Sequence, residues 1–393
     1  MPAEPAAADG GASSHGILIF GDTERSPALR HEIPVAIADP FLYAEAGGRR
    51  VVLTNVLERD RIARAAPDAE LVLQDDLGRD ELIAAGLSWA EVDLELCARL
   101  CARLELRTAV VPPELPVALA DRLRADGIEV RPDPAEFDAR RRAKNEAELR
   151  GVRRAQAAAD AGMAAAAALL RAARAHGDEL RLDGATLTAG QVRAAVREAC
   201  AQGGAIAPPD IIVARSDLFP GGHDPGHGPL APDVPITIDL WPRDEETGCW
   251  ADMTRTFVVG EPSPAVAEMH ELSMEALRRT TAAARPGVRG RELYDIACDV
   301  FEAAGHPTQR TKQPGEALAH GFYFSLGHGV GLEVHEEPAL GRTGTSELVA
   351  GDVLAVEPGT STPDGESARV EDLLLVTTDG VEVLTDFPYG LTP

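Results

Sequence analysis

Three apolar runs in the second half of this chain, Ile236–Leu240, Val353–Val356 and Leu373–Val376, read as core strands. Each carries or borders a carboxylate: Asp239 inside the first, Glu357 just after the second, Glu371 just before the third. An ionised acid buried without a partner in such a run is costly. One alone is satisfied by a hydroxyl, an arginine or a backbone amide. Several at the ends of core strands call for a shared cation. Two further residues fit the same set: Asp252 in Trp250-Ala-Asp-Met-Thr-Arg-Thr256, and His328 in the glycine-rich Leu326-Gly-His-Gly-Val-Gly331. Four carboxylates and one imidazole exceed the three protein ligands usual at a catalytic zinc. They suit two divalent ions about 3.5–4 Å apart with carboxylates shared between them. A donor set of oxygens and one imidazole points to Mn²⁺, with Co²⁺, Zn²⁺ or Fe²⁺ as alternatives.

Composition narrows the partners. A net charge of −26 argues against nucleic acid or an anionic membrane surface as the main partner. No apolar run reaches the length of a membrane span. The five cysteines, Cys97, Cys101, Cys200, Cys249 and Cys298, are odd in number and irregularly spaced, which favours a reducing cytoplasm. Residues 1–15 are small and polar, without a basic start or an apolar stretch. They read as a disordered start rather than a signal peptide.

With 393 residues, 45% of them hydrophobic, the chain has material for two domains. Residues 16–134 alternate strand and helix patterns: strands at Gly16–Phe20, Arg50–Thr54, Glu70–Leu73, Thr108–Val111 and Ile128–Val130, with helical spacing over Asn55–Ala65, Leu82–Leu104 and Pro116–Asp126. This is an α/β domain with no glycine-rich phosphate loop and no ligand cluster, and a structural or oligomerising role is expected. Pro132-Asp-Pro134 marks a boundary. Beyond it, over residues 140–393, long helices (Arg140–Ala175, Ala185–Gln202, Pro264–Ala284, Arg291–Ala304) combine with the acid-bearing strands in an α+β domain.

Asp239 and Asp252 flank a polar excursion, and a hairpin would set them side by side. Arg369, two residues before Glu371, is either a partner for a ligand carboxylate on the same face or a surface charge. Of the histidines outside the ligand set, His335 falls further along the same segment as His328, free to donate to a substrate carbonyl. His223 and His227 lie in the Gly/Pro loop Phe219–Gly228, and His223 is the preferred substrate contact. His270, His306 and His320 have no such context.

These residues, in this order, resemble the pita-bread metallopeptidase family that includes aminopeptidase P, prolidase and methionine aminopeptidase. The resemblance rests on Asp252-Met-Thr-Arg-Thr-Phe-Val-Val-Gly260, Gly327-His-Gly-Val-Gly-Leu-Glu-Val-His-Glu336, Val356-Glu-Pro-Gly359 and Arg369-Val-Glu-Asp372. Arg142-Ala-Lys-Asn-Glu-Ala-Glu-Leu149 resembles the helix that opens the catalytic domain, and the first half resembles, more weakly, the creatinase-type accessory domain. The resemblance implies Asp239 chelating one ion, Asp252 and Glu371 bridging, and His328 and Glu357 each completing one ion's shell. It implies a metal-activated hydroxide attacking the scissile carbonyl, Glu357 shuttling a proton, and His223 and His335 binding substrate. The implied activity is hydrolysis of the bond after the first residue of a small peptide, expected to be Xaa-Pro, by a cytoplasmic homodimer. The alternatives are a creatinase-like hydrolase of a small amide or amidine, and an inactive binding module. Two departures stand out. The two aspartates are separated by two residues more than is usual. Where prolyl-specific members carry a histidine four residues before the metal-type histidine, this chain has Phe324, with His320 four residues earlier still.

Overall fold

A computed structural model describes residues 15–218 and 222–393. The disordered start expected for residues 1–15 therefore lies outside the described residues, except for His15, which opens the first strand. The chain divides into two compact units, one ending at Asp138 and the other beginning at Ala139.

In the first unit, β1 (His15–Gly21), α1 (Pro27–Glu32), β2 (Phe41–Ala46), β3 (Arg49–Thr54), α2 (Arg59–Ala65), β4 (Glu70–Leu73), α3 (Arg79–Ala84), α4 (Trp89–Arg103), β5 (Thr108–Val111), α5 (Val117–Ala125) and β6 (Glu129–Pro132) follow one another. The strands form one mixed sheet in the order β4-β3-β2-β1-β5-β6. Gly47 and Gly48, both at positive φ, turn β2 into β3. Several details depart from the sequence reading. Strand β2 and helix α1 went unforeseen. The Asn55–Ala65 helix starts only at Arg59, because the Asn55 side chain accepts from the Leu57 and Glu58 amides and makes a turn first. The single helix expected over Leu82–Leu104 is two. Gly86, at φ +87°, separates them, and Ser88 and Glu91 form a capping box that starts α4 afresh.

Helix α6 (Pro134–Arg142) precedes the long α7 (Glu146–Ala172), so the helix expected from Arg140 to Ala175 is broken near its start. Asn145 caps α7 by accepting from the Glu148 amide at 2.9 Å, while Glu148 reaches back to the Asn145 amide. A short meander, β7 (Arg174–His176), β8 (Glu179–Leu182) and β9 (Ala185–Thr186), takes the residues expected to open the next helix, so α8 (Ala189–Gln202) begins at the Thr188 cap. Gly162 lets α7 approach Val196 and Cys200 of α8. These helices cover a sheet of β11 (Ile212–Arg215), β12 (Ile236–Leu240) and β14 (Met253–Phe257), ordered β11-β12-β14. A small pair, β10 (Ala205–Ile206) and β13 (Arg243–Asp244), lies beside it. Helices α9 (Pro264–Ala283) and α10 (Gly290–Ala303) then pack on a second sheet. It contains β15 (Gly327–Gly329), β16 (Glu336–Leu340), β17 (Val353–Val356), β20 (Asp372–Val376) and β21 (Val381–Val383), in the order β16-β15-β17-β20-β21. The hairpin β18 (Gly359–Ser361)–β19 (Ser367–Arg369) projects between β17 and β20. Each half thus repeats a helix pair over an antiparallel sheet, each around its own core. Where they meet, the Glu371 amide donates to the Thr254 carbonyl at 3.1 Å. Among the described residues no helix is long and apolar enough to cross a membrane.

The approach of β15 to β17 depends on Gly327, since an added Cβ would run into the Ala355 carbonyl oxygen. Gly327→Ala is expected to destabilise the protein by about 1–3 kcal/mol and to displace the adjoining His328. Thermal unfolding of the metal-free protein against wild type checks this.

Candidate metal centre

The seam between the two sheets collects all five residues expected as ligands. Asp239 pairs in register with Thr254 across β12 and β14, so Asp252, two residues before Thr254, lies diagonally from Asp239 on the same face. The hairpin expectation holds in that offset form. From the other sheet, His328 on β15 pairs with Ala355 on β17. Val356 pairs with Asp372, which sets Glu357 and Glu371 across from each other at one end of the ladder.

The side chains converge. Ligand atoms of Asp252, His328 and Glu371 all lie within 4.8 Å of one another. His328 Nε2 is 3.8 Å from both Asp252 Oδ2 and Glu357 Oε1. Its Nδ1 lies 3.1 Å from the Gly329 carbonyl oxygen. A carbonyl only accepts, so the proton sits on Nδ1 and the Nε2 lone pair faces the acids. Thr254 Oγ1 donates to Glu371 Oε2 at 2.6 Å. Arg369 resolves its two alternatives as a carboxylate partner, but to different acids from the one nearest in sequence. It pairs with Asp239 and, at 3.2 Å, with Glu357.

A cavity of about 340 Å³ opens on this cluster, lined by all five residues together with His223, His335, Arg369, Asp210, Trp241 and Val334. The His335 ring stands edge-on to His328, centroids 4.2 Å apart. His223 is exposed on its loop, which is pinned where the Val213 amide donates to the Pro225 carbonyl. A second cavity of about 210 Å³ shares His223, Glu357 and Arg369 and has Ile212, Tyr323 and Phe324 in its walls. His227, His270, His306 and His320 line neither. Sequence reasoning missed Thr254, Asp210 and Trp241. Asp210 stands immediately before the apolar Ile211–Val213 run, the same acid-beside-strand signal as the others. Thr254 had the clearer signal, two residues from Asp252 on one strand face.

Electrostatics mark the cluster as short of positive charge. Burial, then the neighbouring charges of Glu371 and Asp239, push the Asp252 carboxyl well above the carboxylate range. Burial and the charges of Glu357 and Asp239 do the same to Glu371, against the pull of Arg369 and the Thr254 hydroxyl. Glu357 is raised to about 7, chiefly by burial, with Arg369 opposing and Asp239 adding. His328 falls to about 4 through burial and the neighbouring His335, which keeps its imidazole neutral. Buried acids driven towards their protonated forms around a neutral imidazole, with one guanidinium among them, fit divalent cations in charge and in donor type.

The comparisons agree with this geometry. A profile of Metallopeptidase family M24 matches residues 150–378, more than half of the chain. The Xaa-Pro dipeptidase of Pyrococcus furiosus is 38% identical over 135 residues, 34% of this chain and 35% of that protein. The probable dipeptidase PepE of Mycobacterium tuberculosis is 34% identical over 176 residues, 44% of each. The chain thus spans about a third of the length of the first relative and under half of the second. Among solved structures, the Xaa-Pro dipeptidase of Bacillus anthracis superposes with TM-score 0.75 at 24% identity, covering 96% of this chain and 94% of that one. The prolidase of Pyrococcus horikoshii does so with TM-score 0.72 at 22% identity, covering 96% and 95%. The second unit has the pita-bread fold, preceded by an α/β unit. This chain belongs to metallopeptidase family M24, and the donor set at its seam fits divalent metal ions.

A carboxylic acid whose folded-state pKa is raised destabilises the fold where it is ionised, above that pKa, and the penalty disappears as pH falls to the unfolded value. For Glu357 that window runs from about 7 down to the ordinary value of 4.5. Glu357→Gln is therefore expected to stabilise the metal-free protein by about 1–3 kcal/mol at pH 8. The gain should fade as pH drops through the window. Paired denaturation curves at pH 8 and pH 4.5 measure it.

Proposed function

We propose that this chain is a metal-dependent peptidase that hydrolyses the bond after the first residue of short peptides, with Xaa-Pro as the expected substrate. The single observation that carries this reading is the convergence of Asp239, Asp252, His328, Glu357 and Glu371 on one cavity that His223 and His335 also line. The named activities of the similar proteins support the substrate class. In this reading Asp239 would hold one ion, Asp252 and Glu371 would be shared between two, and His328 and Glu357 would each complete one ion's shell. Mn²⁺ is the metal proposed, on the grounds of the oxygen-rich donor set.

The metals' contribution would be to polarise the scissile carbonyl and to lower the pKa of water near neutrality. The protein's residues do the rest. Glu357 lies in the walls of both cavities, where a carboxyl can take a proton from the attacking water and give it to the leaving amine. His335 and His223 reach the same space and donate N–H groups to the carbonyl oxygen as negative charge develops there. Arg369 holds Asp239 and Glu357 in place. His328, neutral and with its Nδ1 proton committed to Gly329, presents one nitrogen in one orientation. Exclusion of water is helped by the apolar side cavity, whose Phe324 packs edge-on against Phe322 and Tyr323. Phe324 also favours a second reading of specificity, in which an apolar wall accepts residues other than proline on the leaving side. Burial of all five cysteines as free thiols supports the cytoplasm as the compartment. The N-terminal unit is proposed as an accessory domain of the creatinase type.

The test is a panel of Xaa-Pro dipeptides, Xaa-Pro-Xaa tripeptides, matched Xaa-Ala peptides and creatine, offered to the Mn²⁺-loaded protein. Cleavage of tripeptides after the first residue is the aminopeptidase outcome, and cleavage of dipeptides alone the dipeptidase outcome. Silence on every peptide with metal bound would overturn the reading. Asp252→Ala is expected to lower kcat/KM by more than about 10³-fold, the loss of a metal ligand being a loss of transition-state stabilisation of several kcal/mol. Phe324→His is expected to raise the ratio of kcat/KM for Xaa-Pro over Xaa-Ala. An unchanged ratio would remove Phe324 from the specificity argument.

A further inference from the structure

Behind the ligand cluster, on the opposite face of β14 from Thr254, lies Arg255, one of the largest fully buried side chains at 1% exposure. All five of its N–H groups find acceptors. Nε donates to the Pro388 carbonyl at 3.0 Å. Nη1 donates to the carbonyls of Thr254 at 2.9 Å and Glu371 at 2.6 Å. Nη2 donates to the Asp372 carboxylate at 2.9 Å and the Phe387 carbonyl at 3.0 Å. Tyr389 closes the arrangement from outside. Its hydroxyl donates to the other Asp372 oxygen at 2.6 Å, and its ring lies against the guanidinium, 4.5 Å from the centroid. The segment that supplies Phe387, Pro388 and Tyr389 is fastened at both ends, by the Leu384 amide to the Leu373 carbonyl and by the Val258 amide to the Leu391 carbonyl.

The pattern of acceptors matters. Thr254 belongs to the first sheet and stands two residues from Asp252, while the other Nη1 acceptor is the carbonyl of Glu371 itself. Thr254 is on β14 and Glu371 immediately precedes β20, and these strands belong to different sheets and share no ladder. The guanidinium is planar and its fork rigid, so donation to both carbonyls, together with the direct bond from the Glu371 amide to the Thr254 carbonyl, fixes their separation. Asp372 neutralises the buried charge, and Tyr389 and the 387–388 carbonyls use up the remaining donors and lone pairs, so the group has no second arrangement of equal energy. The proposed chemistry does not use Arg255, Asp372 or Tyr389.

We propose that Arg255, Asp372 and Tyr389 are positioning residues that set the distance between Asp252 and Glu371, and that the Phe387–Tyr389 segment is thereby part of the metal site's construction. This rests on the reading of Asp252 and Glu371 as shared metal ligands. The experiment uses the full chain, Mn²⁺ alone and no peptide. Tyr389→Phe and Asp372→Asn, near-isosteric changes, are compared with wild type in three readouts. These are Mn²⁺ titration by calorimetry, the electron paramagnetic resonance signal of the spin-coupled pair, and thermal unfolding without metal. The expected result is Mn²⁺ binding weakened about tenfold or more in both variants, with an altered coupling signal. Tyr389→Phe should show this with its metal-free unfolding unchanged. Variants that melt earlier without metal, yet bind two Mn²⁺ with wild-type affinity and signal, would show a purely structural network and overturn the proposal. A wild type that takes up no Mn²⁺ overturns the metal-site reading along with it.

Discussion

Mutual repulsion among Asp239, Asp252, Glu357 and Glu371 is the constraint from which the rest of this structure follows. Packed around one cavity with Arg369 as the cation in direct contact, they carry more negative charge than their surroundings offset. In a low-dielectric setting such groups protonate or find a counter-charge. The raised carboxyls of Asp252, Glu371 and Glu357 record this strain. A protein keeps such an arrangement only if its framework holds the acids together against their repulsion. Here the framework consists of two antiparallel sheets, each braced by its own helix pair and its own apolar core.

That architecture explains why the five candidate ligands sit where they do. Acids within one ladder alone would be spaced by its fixed repeat, alternating faces every residue. Bringing five donors to one point needs strand ends from two sheets aimed at a common seam. Glu357 and Glu371 lie just past the last paired residues of β17 and β20, where the chain is free to turn inward. Asp239 and Asp252 use the diagonal of a hairpin. His328 enters on β15 only because Gly327 permits the close pairing with Ala355. Thr254 and Thr256 then stitch the seam, one to the Glu371 carboxylate and the other to the Arg369 backbone.

The elements that carry the chemistry were legible because each joins two independent signals. An apolar run announces a strand, and an acid at its end is unusual enough to demand a reason. Helix α7 was legible through the reciprocal cap of Asn145 and Glu148. Other parts depended on tertiary contacts that leave little trace in local sequence. Strand β2, Phe41-Leu-Tyr-Ala-Glu-Ala, contains two alanines and a glutamate, poor strand formers, and is held by pairing on both edges to β1 and β3. The break at Gly86 was hidden by helical spacing continuing on both sides. The partners of Arg369 were invisible because it ends the separate hairpin β18–β19, which turns its side chain from its sequence neighbour Glu371 towards Asp239.

What the fold supplies at this seam differs from what an ion would supply. Hydrogen bonds from Thr254 and Arg369 orient the carboxylates of Glu371, Asp239 and Glu357, but they leave the cluster short of positive charge. A framework that neutralised every acid internally would be more stable and would have no reason to bind a cation. One that neutralised none would not hold the acids within reach of each other. The observed compromise places one guanidinium at the edge of the cluster and a neutral imidazole with its lone pair turned inward. Binding of divalent ions would then release the electrostatic cost already built into the folded state, so that metal affinity and fold stability are coupled through the same few oxygens. The pita-bread seam is in this sense organised around a charge that the polypeptide does not itself provide.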